Sequence, residues 1–225
     1  MKTIVSFIVC AFMTITISLG QNTCNMYYPF TEGAKFQITG YDKKGKTNSV
    51  IDYSITDVNG NTATINTKIS DKKGKEITTT DYKVTCDNNT ISIDFKSLMN
   101  PEMFAKYKDM EIDFEGTNIE LPNDLSIGKN LKDANMVMTI KMGGMNMNMT
   151  MDLVNRKVEG QESVSTPAGT FNCYVITYTT EMKMGLKSTF KNKEWIAEGV
   201  GMVKSENYNK NGKLMGYSEL TQRSN

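Results

Sequence analysis

Apolar and polar residues alternate along most of this chain. In one run Ile51, Tyr53 and Ile55 are separated by single polar residues, and in the next run Ala63 and Ile65 follow the same rule. A period of two is typical of strands that bury one face. The pattern therefore predicts an all-β fold with a minor α part.

Short polar segments that contain glycine separate these runs. Glycine readily adopts the positive φ that tight hairpin turns require, so each segment predicts a β-turn between antiparallel strands. We expect a single antiparallel β domain over residues 21–225. The four clearest turn segments are residues 42–46, 57–61, 71–75 and 209–213.

One segment departs from the alternating pattern. Pro101 suits the first turn of a helix, and Met103, Phe104 and Tyr107 recur at helical spacing. This pattern predicts one short helix near residues 101–110.

The most regular alternation lies on either side of Gly143-Gly144 and consists mainly of methionines. A two-residue Gly-Gly turn would pair Met142 with Met145 and place every alternate apolar side chain on one face of a hairpin. The sequence therefore predicts an amphipathic hairpin over residues 136–153. Its apolar face, and our candidate ligand-binding set, comprises Met136, Met138, Ile140, Met142, Met145, Met147, Met149 and Met151.

Three interpretations of this methionine face remain open. The first is that it forms part of an ordinary core. The second is that it lines a malleable cavity for a lipid tail, since methionine is flexible and polarisable. The third interpretation is a site for monovalent copper, which prefers thioether ligands, formed by Met138, Met145, Met147 and Met149.

The composition excludes several kinds of chemistry. The chain has no histidine, so Ser-His-Asp and Cys-His catalytic arrangements are impossible. Phosphate-binding glycine patterns are absent from the sequence as well. We therefore expect a protein that is not an enzyme, needs no cofactor and has no conventional metal site. Its 26 basic and 25 acidic residues nearly balance, which disfavours nucleic-acid binding.

The amino terminus has the pattern of a signal peptide. Lys2 precedes an apolar stretch over residues 3–19, and small residues allow cleavage after Gly20. We expect an exported protein, periplasmic or extracellular, with signal peptide 1–20 and no transmembrane segment in the mature chain. Asn22 and Thr23 precede Cys24, so a lipid anchor is not expected.

Cleavage at Gly20 would leave three cysteines, Cys24, Cys86 and Cys173, in an oxidising compartment. Three thiols permit one disulfide, and the sequence alone leaves the pairing open. Our choice is Cys24 with Cys86, because the start of a first strand and the end of a fourth strand lie at the same end of a meander.

Three motifs carry a family resemblance: residues 28–34 (YPFTEGA), 165–174 (STPAGTFNCY) and 195–206 (WIAEGVGMVKSE). With them the chain resembles the TapB-like exported proteins of Bacteroidota over essentially the whole mature region. The resemblance implies a large curved antiparallel sheet or half-open barrel, here of about ten strands, similar to the folds of periplasmic lipoprotein carriers. It implies no catalytic residue.

Export, strands with one apolar face and the methionine face together favour a noncatalytic binding module for an apolar ligand such as a lipid. The alternatives are a structural or envelope-associated interaction protein, and copper binding through methionine. Expected partners are accordingly a lipid or an envelope protein.

Overall fold

The computed structural model describes residues 27–98, 110–142 and 144–224. Most of these residues lie in strands, and a 3-10 turn at Phe95–Leu98 is the helical element among them. The strands are β1 Lys35–Asp42, β2 Thr47–Asn59, β3 Thr62–Asp71, β4 Glu76–Asp87, β5 Thr90–Ile93, β6 Glu111–Gly116, β7 Ile119–Pro122, β8 Ala134–Met142, β9 Met145–Thr166, β10 Gly169–Met184, β11 Leu186–Ala197, β12 Gly201–Asn209 and β13 Leu214–Ser224.

All thirteen strands form one antiparallel sheet, in the order β6-β8-β9-β10-β11-β12-β13-β1-β2-β3-β4-β5-β7. The predicted all-β fold is confirmed, with thirteen strands instead of about ten. Short strands such as β5 and β7, of four residues each, contain too few positions to give a recognisable alternation. The helix predicted near 101–110 lies, apart from Met110, outside the described residues.

The two edge strands of this sheet are neighbours in sequence. Only Thr117 and Asn118 separate β6 from β7, although these strands lie at opposite ends of the strand order. Two linking residues span about 10 Å at most. The sheet must therefore curl round until its edges meet at this corner, as in a half-open barrel.

Gly116 makes this corner possible. Its φ is 153°, and a Cβ atom added there would lie 2.2 Å from the backbone oxygen of Asn135 on the adjacent strand. A residue with a side chain would force the two backbones apart. The Thr117 amide donates to the same Asn135 oxygen at 2.9 Å, which holds the turn against β8.

The predicted turns are present. In the turns after β1 and β3, the carboxylates of Asp42 and Asp71 each accept two backbone N–H hydrogen bonds. Asn209 does the same after β12 through its amide oxygen. Gly60, which follows β2, has a φ of 59°, as the hairpin requires. Local side-chain bonding thus specifies where these strands end.

The inner face of the curled sheet carries the main hydrophobic core, which includes Ile65, Val84 and Ile91 on one side and Met136 and Met149 on the other. A second, smaller cluster contains the buried Trp195, Val175 and Cys173. Because β10 and β11 alternate strictly, Trp195 and Val175 project from the face opposite to Ile176 and Glu194. Both faces of this part of the sheet are therefore partly covered.

Candidate binding site

A cavity of about 160 Å³ lies inside the curled sheet. Eleven of the thirteen strands, all except β6 and β8, contribute side chains to its wall. Protein interiors are normally packed without such voids, and an engineered apolar cavity of roughly this size binds a benzene ring. The lining residues are Tyr28, Pro29, Phe36, Ile38, Tyr53, Ile55, Ile65, Tyr82, Ile93, Ser97, Ile119, Leu121, Arg156, Ile176, Glu194, Ile196, Val200, Met202 and Leu220.

Three tyrosines place hydroxyl groups in this mainly apolar wall. Tyr28 precedes β1, whereas Tyr53 and Tyr82 lie on β2 and β4. Within the described residues, none of the three hydroxyls has a hydrogen-bond partner. Burial raises the pKa of Tyr53 to about 12, and burial also raises the pKa values of Tyr28 and Tyr82. The hydroxyls therefore stay protonated and able to donate hydrogen bonds at neutral pH.

Glu194 and Tyr178 form a hydrogen-bonded pair at the same site. The Tyr178 hydroxyl donates to Glu194 Oε1 at 2.5 Å across β10 and β11. Burial raises the pKa of the Glu194 carboxyl, while the Tyr178 hydrogen bond and the charge of Arg156 lower it. The net direction is upward, so this carboxyl takes up a proton more readily than an exposed glutamate.

Arg156 brings a positive charge into the interior. Its side chain is 5% exposed, and its Nη1 donates to the backbone oxygen of Lys132 at 2.5 Å. Burial lowers the pKa of the guanidinium, with Glu194 the largest opposing influence. A guanidinium has five N–H donors, and the bond to Lys132 uses one of them.

A β-bulge directs Arg156 inward. In the first part of β9 the interior side chains are at odd-numbered positions, namely Met149, Met151 and Leu153. Further along the strand they are at even-numbered positions, Arg156 and Val158. The register shifts between β9 and β10 here, so that Asn155 and Arg156 together oppose Tyr178. Asn155 has a φ of 57°. The extra residue changes which face the following side chains occupy.

The methionine hairpin has the predicted register. Met142 pairs with Met145, Ile140 with Met147, Met138 with Met149 and Met136 with Met151. Gly144 has a φ of 89°, and Gly143 lies outside the described residues. The predicted pairing between β8 and β9 is confirmed.

The burial of that face varies along the hairpin. Met136, Met138, Ile140 and Met149 are completely buried, and Met151 is nearly so. The expectation of one uniformly buried face is wrong at the tip, where Met145 is 75% exposed and Met147 half-buried. β10 makes its last pair with β9 at Thr150, so no neighbouring strand covers Met145 on that side.

Of the eight predicted ligand-binding residues, none of the seven with a described side chain lines the cavity, and the side chain of Met142 lies outside the described part of the protein. The buried members pack in the same core beside it. That they contact a ligand stays a prediction.

The four methionines proposed for copper lie in different surroundings. Met138 and Met149 are inaccessible to solvent, while Met145 is exposed at the hairpin tip. Across the described parts of the chain, no group of three or more acidic or cysteine side chains is placed to hold a metal ion. Copper binding through methionine stays a prediction.

Of the cysteines, Cys86 is disulfide-bonded and Cys173 is a free, buried thiol. Cys24, the predicted partner of Cys86, lies outside the described residues. Burial raises the pKa of Cys173 to about 11, with a smaller contribution from the nearby Glu162 charge.

Two of the three sequence motifs meet at the cavity. Residues 28–34 supply Tyr28 and Pro29, and residues 195–206 supply Ile196, Val200 and Met202. The close approach of Tyr28 to the chain at Gly201, where an added Cβ would lie 3.5 Å from the tyrosine ring, joins the two motifs. Alternation alone does not reveal this site, because its polar members come from segments distant in sequence.

Comparisons with solved structures show the same fold in two other proteins. A protein predicted to be exported, with a YmcC-like fold, from Bacteroides fragilis NCTC 9343 is 21% identical and superposes with a TM-score of 0.76, covering 90% of this chain and 100% of its own. A predicted lipoprotein from Parabacteroides distasonis ATCC 8503 is 25% identical, with a TM-score of 0.77, covering 89% of this chain and 99% of its own.

A search of curated proteins finds no match. Among the described residues, no helix is both long enough and apolar enough to cross a membrane. That the protein is TapB-like stays a prediction. A family described as DUF3108-like matches residues 31–220, which is most of the chain. The chain belongs to the DUF3108-like family.

Proposed function

We propose that this protein is an exported, noncatalytic binding module that holds an apolar ligand, such as part of a lipid, in the cavity inside its sheet. The observation that carries the proposal is a cavity of about 160 Å³ whose wall is mainly isoleucine, leucine and aromatic side chains. Binding sites for small ligands combine such walls with a few polar groups. Export is supported by the amino-terminal pattern and by the descriptions of the two structural relatives.

We propose the cavity, and not the methionine face, as the binding position. The buried methionines of β8 and β9 pack within the core, whereas the wall around Ile65 and Ile176 faces the cavity. A ligand of ring or short-chain size therefore fits next to the tyrosines without displacing core side chains.

Two matched variants test this position. Ile65→Phe should fill the cavity, whereas Met149→Leu keeps the volume of a buried side chain that does not line it. After purification, native mass spectrometry and organic extraction should show a bound apolar compound in the wild type and in Met149→Leu, and less of it in Ile65→Phe. A clean extract, together with no uptake of fatty-acid probes by the wild type, would remove the proposal.

One observation favours a second candidate, an envelope-associated interaction protein. Met145 and Leu186 are 75% and 86% exposed at the tips of two hairpins. Because Lys183 and Thr150 form the last pair between β10 and β9, both tips lie at the same end of the sheet. We infer that these two exposed apolar side chains belong to a contact surface at that end of the sheet.

The hairpin tips can be tested separately from the cavity. Replacing Met145 and Leu186 by serine should weaken recovery of an envelope partner in a pull-down and leave ligand retention unchanged. Equal recovery with the wild type and the double variant would count against this second function.

A further inference from the structure

The cavity contains a buried cation that lacks a direct ionic partner in the described part of the chain. No carboxylate there lies within ion-pair distance of the Arg156 guanidinium, and its hydrogen bond is to a neutral backbone oxygen of Lys132. The Arg156 side chain lines the cavity wall. A buried charge is costly unless it is paired, and planar bidentate pairing with a carboxylate is the geometry a guanidinium favours.

The other polar groups of the cavity are mostly donors as well. Tyr28, Tyr53 and Tyr82 line the cavity, and their hydroxyls lack hydrogen-bond partners among the described residues. A group bound beside them would therefore be expected to accept hydrogen bonds. Among the described lining residues Glu194 is the one acidic side chain, and its Oε1 already accepts from Tyr178.

We propose that the cavity binds a monocarboxylic acid, with the ligand carboxylate against Arg156 and the tyrosine hydroxyls and its hydrocarbon part against the isoleucine and leucine wall. This inference rests on the proposed function and names the class of its ligand. One negative charge matches one guanidinium, and the cavity volume suits a short acyl chain or a single aromatic ring.

Glu194 weakens this binding when it is ionised, because it places a second negative charge in the same space. Removal of that charge with retention of the hydrogen bond from Tyr178, as in Glu194→Gln, should therefore strengthen binding of a carboxylate. The same change should leave binding of a neutral alcohol unaffected. A merely structural role of Glu194 would give no such distinction.

The test uses two acids, hexanoate and phenylacetate, each beside its matched alcohol, hexan-1-ol and 2-phenylethanol. Isothermal titration calorimetry at pH 7.5 measures the affinities. Each acid that the cavity can accommodate should bind at least about tenfold more tightly than its alcohol, which is the difference expected for charged hydrogen bonds. Preference for one acid over the other distinguishes an acyl ligand from an aryl ligand.

Three variants separate the charge effect from a loss of folding. Arg156→Met should remove the preference for the acid and keep alcohol binding, while Glu194→Gln should increase acid affinity. Lys193→Met is the control, because Lys193 lies over the ring of Trp195 on the opposite face of β11 and should change neither.

The possible failures are distinguishable. If acid and alcohol bind equally and Arg156→Met and Glu194→Gln have no effect, the inference is overturned and an apolar cavity remains. If none of the four compounds binds to the folded wild type, the inference and the proposed function both fail.

Discussion

The hydroxyl of Tyr178 donates a hydrogen bond to the Glu194 carboxylate across β10 and β11, at 2.5 Å and inside the barrel. Arg156 reaches the same region from β9 because the bulge opposite Tyr178 directs it inward. Three neighbouring strands thus bring a phenol, a carboxylate and a guanidinium together at a mainly apolar cavity. This arrangement is costly to bury, and such polar clusters are common at binding sites.

The burial of Glu194 predicts a specific pH dependence of stability. The pKa of Glu194 is higher in the folded protein than its usual value of 4.5. At pH values between 4.5 and that raised pKa, the folded state therefore binds more protons than the unfolded chain. The free energy of unfolding should therefore fall as the pH rises through this window, and Glu194→Gln should remove that part of the fall. Urea unfolding of both proteins from pH 4 to pH 8 measures the difference.

Glu162 offers a control of opposite sign. Its pKa is lowered, first by the hydrogen bond from Trp195 and then by that from Lys193. Its contribution to stability is present above the usual pKa and is lost as the pH falls through the lowered value, so Glu162→Gln should lose its effect in acid. If both variants showed the same pH trend, our account of the Glu194 environment would be wrong.

The methionine hairpin predicts a graded response to a buried charge. Met149→Asp places a carboxylate at a completely buried position of β9 and should reduce the free energy of unfolding by about 3–5 kcal/mol. Asn148→Asp, on the other face, and Met145→Asp, at the exposed tip, should each change it by less than about 1 kcal/mol. Urea melts give the three values, and a large loss in Met145→Asp would contradict the observed exposure.

The same hairpin illustrates what local sequence determines. A two-residue turn and a period of two fix every pair from Met142–Met145 to Met136–Met151, since both signals act between residues close in sequence. The exposure of Met145 depends instead on where β10 ends, which is set by a different hairpin. Alternation identifies the apolar face of a strand but not how far along the strand another element covers it.

The binding site was harder to predict for two physical reasons. Its tyrosines come from three separate segments of the chain, and the closure of β1 against β13 that completes the wall is a nonlocal pairing. Arg156 was missed because its bulge reverses the facing of β9. The change from interior Leu153 to interior Val158, five residues apart, is a sequence signal of an inserted residue, and it places Arg156 inside.

The cysteines predict a clear chemical difference. Cys173 is buried and its pKa is raised to about 11, so in the folded protein it should resist iodoacetamide at pH 8 and react rapidly after unfolding in guanidinium. Peptide mapping under nonreducing conditions should recover Cys86 in a disulfide, and we expect Cys24 as its partner. A disulfide between Cys86 and Cys173 would contradict the structure.

The corner at Gly116 predicts that replacing this glycine destabilises the folded protein. In Gly116→Ala the new methyl group would lie 2.2 Å from the Asn135 backbone oxygen and 2.9 Å from the Met136 Cα, at a φ of 153° that alanine rarely adopts. Because both contacts are with backbone, relief requires β6 to separate from β8 at the point where the sheet edges meet. We expect a loss of at least about 2 kcal/mol in the free energy of unfolding.

Gly160→Ala is the matched control, since an added Cβ there meets nothing within 4 Å. Chemical denaturation of the two variants should show a large loss only for Gly116→Ala, and equal stability would mean that the corner between β6 and β7 is not closely packed.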